Sequence, residues 1–195
     1  WTVAARKPAQ SSLPGETTDA DVLSGVTGEP PEVICPYDRT YRVPMAPPMA
    51  ADASGIEAPA LAQLAAEVTS SWVGRSRDLG VVELAGGVAS PMAGDGDGSD
   101  LAALLEPEAV VLVADAGLGT INAVRLSVAA LRQRLGARTP IHVFLNRFDP
   151  ANELHRRNLE WLTERDGLAV TTTLHALLDV VIELAEGWCG SCGKV

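Results

Sequence analysis

Val81-Val82-Glu83-Leu84-Ala85-Gly86-Gly87 and, further along, Ala114-Asp115-Ala116-Gly117-Leu118-Gly119-Thr120-Ile121-Asn122 are the two stretches that decide the fold. Each reads as a buried strand that runs into a polar or glycine-rich turn, and the second turn opens an amphipathic helix. Parallel α/β sheets build ligand sites in this way, at the carboxyl ends of their strands. A helix starting at Gly119-Thr120-Ile121-Asn122 offers free backbone N–H groups to an anion. A carboxylate such as Glu83 at a strand end is placed to hold a metal ion. The pair predicts a site for phosphate and metal.

Outward from these strand ends, the pattern alternates. Trp1 to Arg6 reads as a strand closed by Lys7-Pro8, and a short helix is expected around Asp19–Gly25. The proline-rich segment from Cys35 to Met49 excludes regular helix. Pro59 to Trp72 predicts a helix, because Leu61, Leu64, Ala65, Val68 and Trp72 recur at three- and four-residue steps and Pro59 suits a first turn. Leu79–Leu84 and Ala109–Ala114 are near-continuous apolar runs, as expected of strands covered on both faces. A helix from Asn122 to Leu135 stops at Gly136, and Ile141–Leu145 is a strand ending in Asn146. A charged helix from Asn152 to Arg165, a short strand Leu168–Thr171 and a last helix Leu174 to Glu186 follow. Alternation of this kind predicts one α/β domain over residues 1–195 with a parallel sheet and right-handed crossovers. Residues 187–195 read as a flexible tail.

At 195 residues and 47% hydrophobic, the chain can bury a core. No run approaches the roughly 18 apolar residues that span a membrane. The net charge of −10 argues against a nucleic-acid or anionic-membrane partner, which wants a basic stripe. It leaves room for a nucleotide, neutralised locally by Mg²⁺ and a lysine. Three cysteines without disulfide spacing fit a reducing cytoplasm. Trp1 opens the sequence inside a strand, so a preceding segment is expected.

The chemistry-bearing residues each carry a plainer alternative. Lys7, at a strand end before Pro8, can neutralise phosphate or a carboxylated nitrogen; its alternative is a solvated loop lysine. One of Asp19 and Asp21 could complete a Mg²⁺ shell, which needs one or two carboxylates; the alternative is helix N-capping, for which Thr18 or Asp19 is suited. Glu83 ends an apolar strand, where a buried unpaired carboxylate would cost several kcal/mol, so a metal or a lysine is expected beside it. Asn146 could read the edge of a base or form a turn. Asp95-Gly96-Asp97-Gly98-Ser99-Asp100 is not an EF-hand, because the sixth position is Asp100 instead of Gly, and it reads as a flexible loop. Cys189 and Cys192 lack the second pair of a zinc site.

Taken in order, these segments resemble dethiobiotin synthetase, the ATP-dependent cyclising ligase of biotin synthesis. Lys7-Pro8-Ala9-Gln10-Ser11 is similar to that family's Lys-Pro segment, Thr18-Asp19-Ala20 to its acidic metal turn, and Pro44 to Ala51 to its Pro-x-Ala-Pro-His-x-Ala-Ala stretch. Val82 to Gly87 resembles Val-Glu-Gly-Ala-Gly-Gly, and Gly117 to Asn122 the Leu-Gly-Thr-Ile-Asn helix start. The resemblance implies a three-layer P-loop NTPase-like fold with a mainly parallel sheet. It implies that Lys7 stabilises the carbamate during γ-phosphoryl transfer with Ser11 nearby, and that Asp19 and Glu83 hold Mg²⁺. Gly119, Thr120 and Asn122 would bind the carboxylate tail of 7,8-diaminononanoate across a homodimer interface, and Asn146 would contact adenine of ATP. The substrates implied are the diamine, CO₂ and ATP, with no nucleic-acid or membrane partner.

There are departures. The family's phosphate loop (Gly-x-x-x-x-x-Gly-Lys-Thr), with its strand and helix, belongs before the Lys-Pro segment, and nothing like it stands in these residues; this stretch alone is therefore expected to be inactive. Leu84 replaces a glycine and Pro48 a histidine. Two other readings stay open: a related cobyrinic acid synthetase-type amidating ligase, and a dimeric scaffold or regulator without the phosphate loop.

Overall fold

Residues 1–74 and 76–192 are described by the structure, a computed structural model, with side chains as far as residue 185. They divide into two units, Trp1–Glu106 and Pro107 onward. The first contains β1 (Val3–Arg6), β2 (Gln10–Ser11), α1 (Asp19–Thr27), α2 (Pro31–Ile34), a 3₁₀ turn over Tyr37–Arg39, β3 (Thr40–Tyr41), α3 (Pro47–Ala53), α4 (Leu61–Ser71), β4 (Leu79–Val82), β5 (Pro91–Ala93), β6 (Gly96–Asp97) and α5 (Gly98–Leu105). β1 runs parallel to β4 with Arg6 opposite Val82, and β2 runs parallel to β3.

Local chemistry accounts for these elements. Pro8 has no N–H to donate, so the β1 ladder cannot continue past Lys7. Pro47 and Pro48 sit in the first turn of α3, where their missing donors are not needed; the proline-rich segment thus ends in a helix, contrary to the reading from composition. One face of α4 buries Leu61, Leu64, Ala65 and Val68. Leu61 and Leu64 form a core with Met92, Ala93 and Leu101, where each buried large side chain contributes about 1.5–3 kcal/mol. The acidic stretch Asp95 to Asp100, expected as a flexible loop, is ordered. Asp95 accepts from the Leu61 N–H, and Asp97 caps α5 in a reciprocal box with Asp100. Repeated glycine and aspartate suggested a loop, but the spacing also fits a hairpin followed by an N-cap. Beside β1, the Arg6 guanidinium pairs with Glu29 at 2.9 Å and lies 4.2 Å from the centre of the Trp72 ring. Arg77 lies at the same distance from that ring.

The second unit contains β7 (Val110–Asp115), α6 (Thr120–Leu135), β8 (Ile141–Asn146), α7 (Glu153–Glu160), a π-helical turn over Trp161–Arg165, β9 (Ala169–Thr171) and α8 (Leu174–Cys192). β7, β8 and β9 form a parallel sheet in that order, with Asp115 opposite Asn146. Val124 of α6, Val143 and Leu145 of β8, and Leu162 of the π turn pack with Ala116 into its core. β8 is buried from Ile141 to Leu145, as a strand covered on both faces should be. β7 was expected to match it, yet alternates: Val111 and Val113 are exposed. Its apolar run is therefore not a sign of two covered faces. Cys189, Cys192 and the remainder of the expected tail lie outside the residues whose side chains are described. No helix among the described residues is long and apolar enough to cross a membrane.

Candidate functional site

Lys7 follows β1 directly, and Glu83 follows β4. The parallel register that sets Arg6 opposite Val82 carries one residue further, because the Glu83 N–H donates to the Arg6 carbonyl at 2.9 Å. The two side chains consequently meet at the carboxyl end of the strand pair. Lys7 Nζ lies 2.8 Å from Glu83 Oε1, and donates to the Leu84 carbonyl at 3.2 Å. Lys7 is 3% exposed, and an unpaired ammonium at that depth would be costly. A second carboxylate answers it: Asp19 Oδ2 lies 2.7 Å from Nζ.

Asp19 reaches that point because its neighbours do the capping. Thr18 is the N-cap of α1, its hydroxyl accepts from the Asp21 N–H, and the Asp21 carboxylate accepts from the Thr18 N–H. The Thr18 N–H and the Thr18 hydroxyl both donate to the Asp21 carboxylate at 2.8 Å, and these two bonds hold the Asp21 carboxyl below its ordinary range. Asp21 is thus a structural residue, and Asp19 is the carboxylate left for the lysine. Asp19 and Glu83 remain 55% and 48% exposed, open to water on their outer sides. An ammonium between two carboxylates marks a point of cation affinity. One or two carboxylates with the rest of the shell from water and phosphate is the donor set Mg²⁺ takes, so the residues fit that ion.

Leu84, in place of the family's glycine, turns its side chain toward the core of Leu61, Leu64 and Leu101, leaving its carbonyl for Lys7. Gly86, with φ at +76°, begins the next turn, and a Cβ there would stand 2.7 Å from Ser90 Oγ. Ser11 is not joined to Lys7: its hydroxyl donates to the Met45 carbonyl at 2.8 Å.

In the second unit the turn after β7 is held from several sides. Asp115 Oδ1 accepts from the Gly117 N–H at 2.8 Å, while Asn158 of α7, buried, donates from Nδ2 to the Ala116 and Gly117 carbonyls, both at 2.9 Å. Gly119, with φ at +92°, is the N-cap of α6, and no side chain caps that helix. Thr120 is buried, and its hydroxyl has no hydrogen-bond partner among the described residues. Both Gly119 and Thr120 line a cleft of about 390 Å³, along with Ala114, Asp115, Gly117 and Ser127. An uncapped helix start with an idle buried hydroxyl offers donors to an anion. Asn122, in the same first turn of α6, is exposed.

Asn146 ends β8 opposite Asp115, and its Oδ1 accepts from the Arg147 N–H at 3.0 Å. Arg147 adopts φ of +54°, and its guanidinium stands 3.7 Å from Asp115. The Asn146 oxygen is thus engaged by the adjoining N–H, while its NH₂ group carries no bond among the described residues.

Gln10 and Asn158 escaped the sequence reading. Both are buried amides that bond to the backbone of a distant segment; Gln10 lies within the Lys-Pro segment without a role of its own there, and Asn158 lies in no motif. The available hint for Asn158 is a polar residue on the buried side of an otherwise exposed helix.

Comparison with known proteins follows the same segments. A family described as an AAA domain matches residues 2–181. The chain is 41% identical over 172 residues to the ATP-dependent dethiobiotin synthetase BioD of Anaeromyxobacter dehalogenans (strain 2CP-C), spanning 84% of this chain and 73% of that one. It is 39% identical over 171 residues to the protein of the same name from Anaeromyxobacter sp. (strain K), with the same coverage. The corresponding protein of Frankia casuarinae is 39% identical over 135 residues, or 68% of this chain and 54% of that one.

Proposed function

The chain belongs to the dethiobiotin synthetase family, and on that premise we propose that its residues handle the cation, the carbamate and the diamine in an ATP-dependent ligase of biotin synthesis. The observation that carries this reading is the Lys7 ammonium held at 2.7 and 2.8 Å between Asp19 and Glu83. In the reaction, CO₂ adds to one amine of 7,8-diaminononanoate. The carbamate oxygen then attacks the γ-phosphorus of ATP, and the bond to ADP breaks. The second amine attacks the carbamoyl carbon, phosphate leaves, and the ureido ring closes.

Phosphoryl transfer of this kind depends on positioning and charge neutralisation more than on a protein nucleophile. Lys7 donates to the carbamate and offsets the charge that develops as the phosphoryl group moves. Asp19 and Glu83 hold Mg²⁺, which screens the phosphate oxygens when bound. Ser11 exchanges its bond to the Met45 carbonyl for one to the substrate. Asn146 offers its NH₂ to adenine. Gly119, Thr120 and Asn122 receive the diamine's carboxylate tail from a second copy of the chain. Exposed Leu118 and Leu126, on the turn before α6 and on α6 itself, suit a contact between copies. The reducing cytoplasm suits both ATP and free thiols.

Two outcomes test the reading. Residues 1–195 contain no Gly-x-x-x-x-x-Gly-Lys-Thr stretch, so a polypeptide of these residues alone is expected to release no ADP when given ATP, Mg²⁺, diaminononanoate and bicarbonate. Measurable ADP sinks that claim. Thr120→Val is expected to weaken diaminononanoate binding about tenfold, the worth of one hydrogen bond to a charged group. The same change leaves thermal stability level or raises it, because an idle buried hydroxyl is replaced by a methyl of like shape. Titration calorimetry and a melting curve measure both, and unchanged affinity would remove Thr120 from the carboxylate site.

A further inference from the structure

We propose that Gln10 is a positioning residue that holds the Asp19 carboxylate against Lys7, an inference that rests on the cation site described above. Gln10 is buried at the start of β2, and its backbone pairs with Thr40 of β3. Its side chain bonds in two directions. Oε1 accepts from the N–H of Ala20 at 3.0 Å, and Nε2 donates to Thr40 Oγ1 at 3.1 Å. Thr40 in turn donates to the Pro36 carbonyl at 3.3 Å.

The position of Ala20 gives this pairing its force. Asp19 is the first residue of α1, Ala20 the second and Asp21 the third. Thr18 takes the N–H of Asp21, and Gln10 takes that of Ala20, so the two donors following Asp19 are fixed from opposite sides. Ala20 is 1% exposed, and its N–H has no water to turn to if Gln10 is lost. The first turn of α1 is thereby pinned to the β2–β3 pair. Lys7, three residues before Gln10, is tied to the same region, because its N–H donates to the Ile34 carbonyl at 2.8 Å. Gln10 therefore sets the placement of a carboxylate that it does not touch. Groups hydrogen-bonded to a ligating side chain change metal affinity about 10–100-fold when removed, and Gln10 stands one bond further out, so the low end of that range applies.

The test measures Mn²⁺ affinity from the free-ion EPR signal for the wild-type chain and its Gln10→Leu, Thr40→Val and Asp19→Asn variants. Val68→Ala, a buried change in α4, serves as a control for simple destabilisation. A second measurement needs no metal: the acylation rate of Lys7 by an amine reagent, read by mass spectrometry. Lys7 and Lys194 are the lysines of the sequence, so the reading is unambiguous. Gln10→Leu is expected to weaken Mn²⁺ binding about tenfold and to raise the acylation of Lys7. Thr40→Val shifts both in the same direction by less, and Val68→Ala lowers the melting temperature while leaving both unchanged. A Gln10→Leu chain that loses only thermal stability, as Val68→Ala does, overturns the proposal. If Asp19→Asn binds Mn²⁺ like the wild type, the cation reading of Asp19 fails. Acylation of Lys7 then decides the positioning role separately: a faster rate in Gln10→Leu upholds it, and an unchanged rate ends it.

Discussion

A Lys7→Met chain is expected to bind Mn²⁺ about tenfold more tightly than the wild type, even though it has lost a residue of the site. The ammonium stands within 2.8 Å of both carboxylates, at the point toward which they direct their charge. Two unit charges about 4 Å apart interact by roughly 4 kcal/mol at an effective dielectric constant of 20. Asp19 and Glu83 are half exposed, so water and salt reduce that repulsion, and about tenfold is what survives. Turnover moves in the opposite direction. In an enzyme that supplies the phosphate loop alongside these residues, the same change is expected to lower kcat by about 10²–10³-fold, the effect of removing one donor to a developing negative charge. Methionine fills the lysine's apolar path, and both carboxylates keep their water, so the fold should stand. EPR titration and an ADP-release assay read the two limbs. Weaker Mn²⁺ binding in the variant would mean that Lys7 supports the cation instead of standing in its place.

Leu162→Ala carries the largest stability effect expected of the second unit. Leu162 is fully buried in the π turn against Ala116, Val124, Val143 and Leu145, which bring together the turn before α6, α6 itself and β8. Truncating a leucine in such a place removes roughly 2–5 kcal/mol, depending on how far the cavity collapses. Leu174→Ala, at a leucine 73% exposed, should stay within about 0.5 kcal/mol of the wild type. Urea melts followed by circular dichroism measure both. Equal effects at the two positions would mean that the π turn does not anchor this core.

Strand ends were legible in the sequence because they combine two local signals. An apolar run fixes a strand, and a polar or glycine residue marks its stop to within two residues: the run Leu79–Leu84 yields a strand that stops at Val82, and Ile141–Leu145 one that includes Asn146. Meeting of Lys7, Asp19 and Glu83 was legible only through the family resemblance, since no spacing along the chain brings residue 7 to residue 83. The parallel register of β1 and β4 does that, and register is a property of pairing between distant segments. Which aspartate was free stayed open for a similar reason. Thr18 could be seen as a cap, but Thr18-Asp19-Ala20-Asp21 alone does not say which carboxylate closes the box. Gln10 and Asn158 were illegible because a buried amide is recognised by the backbone groups it meets, and those lie in other segments. Hydrophobicity misled at β7, where Val111 and Val113 look like core residues but face outward.

The contact of Trp72 with two guanidiniums has a further use. Arg6 is the residue before Lys7, so the indole senses, through one side chain, where the end of β1 stands. Indole emission depends on nearby charge, and two cations at 4.2 Å give this ring a surrounding that a solvent-exposed indole does not share. With the other three tryptophans replaced, Trp72 becomes an optical gauge one side chain removed from the lysine, with no attached dye.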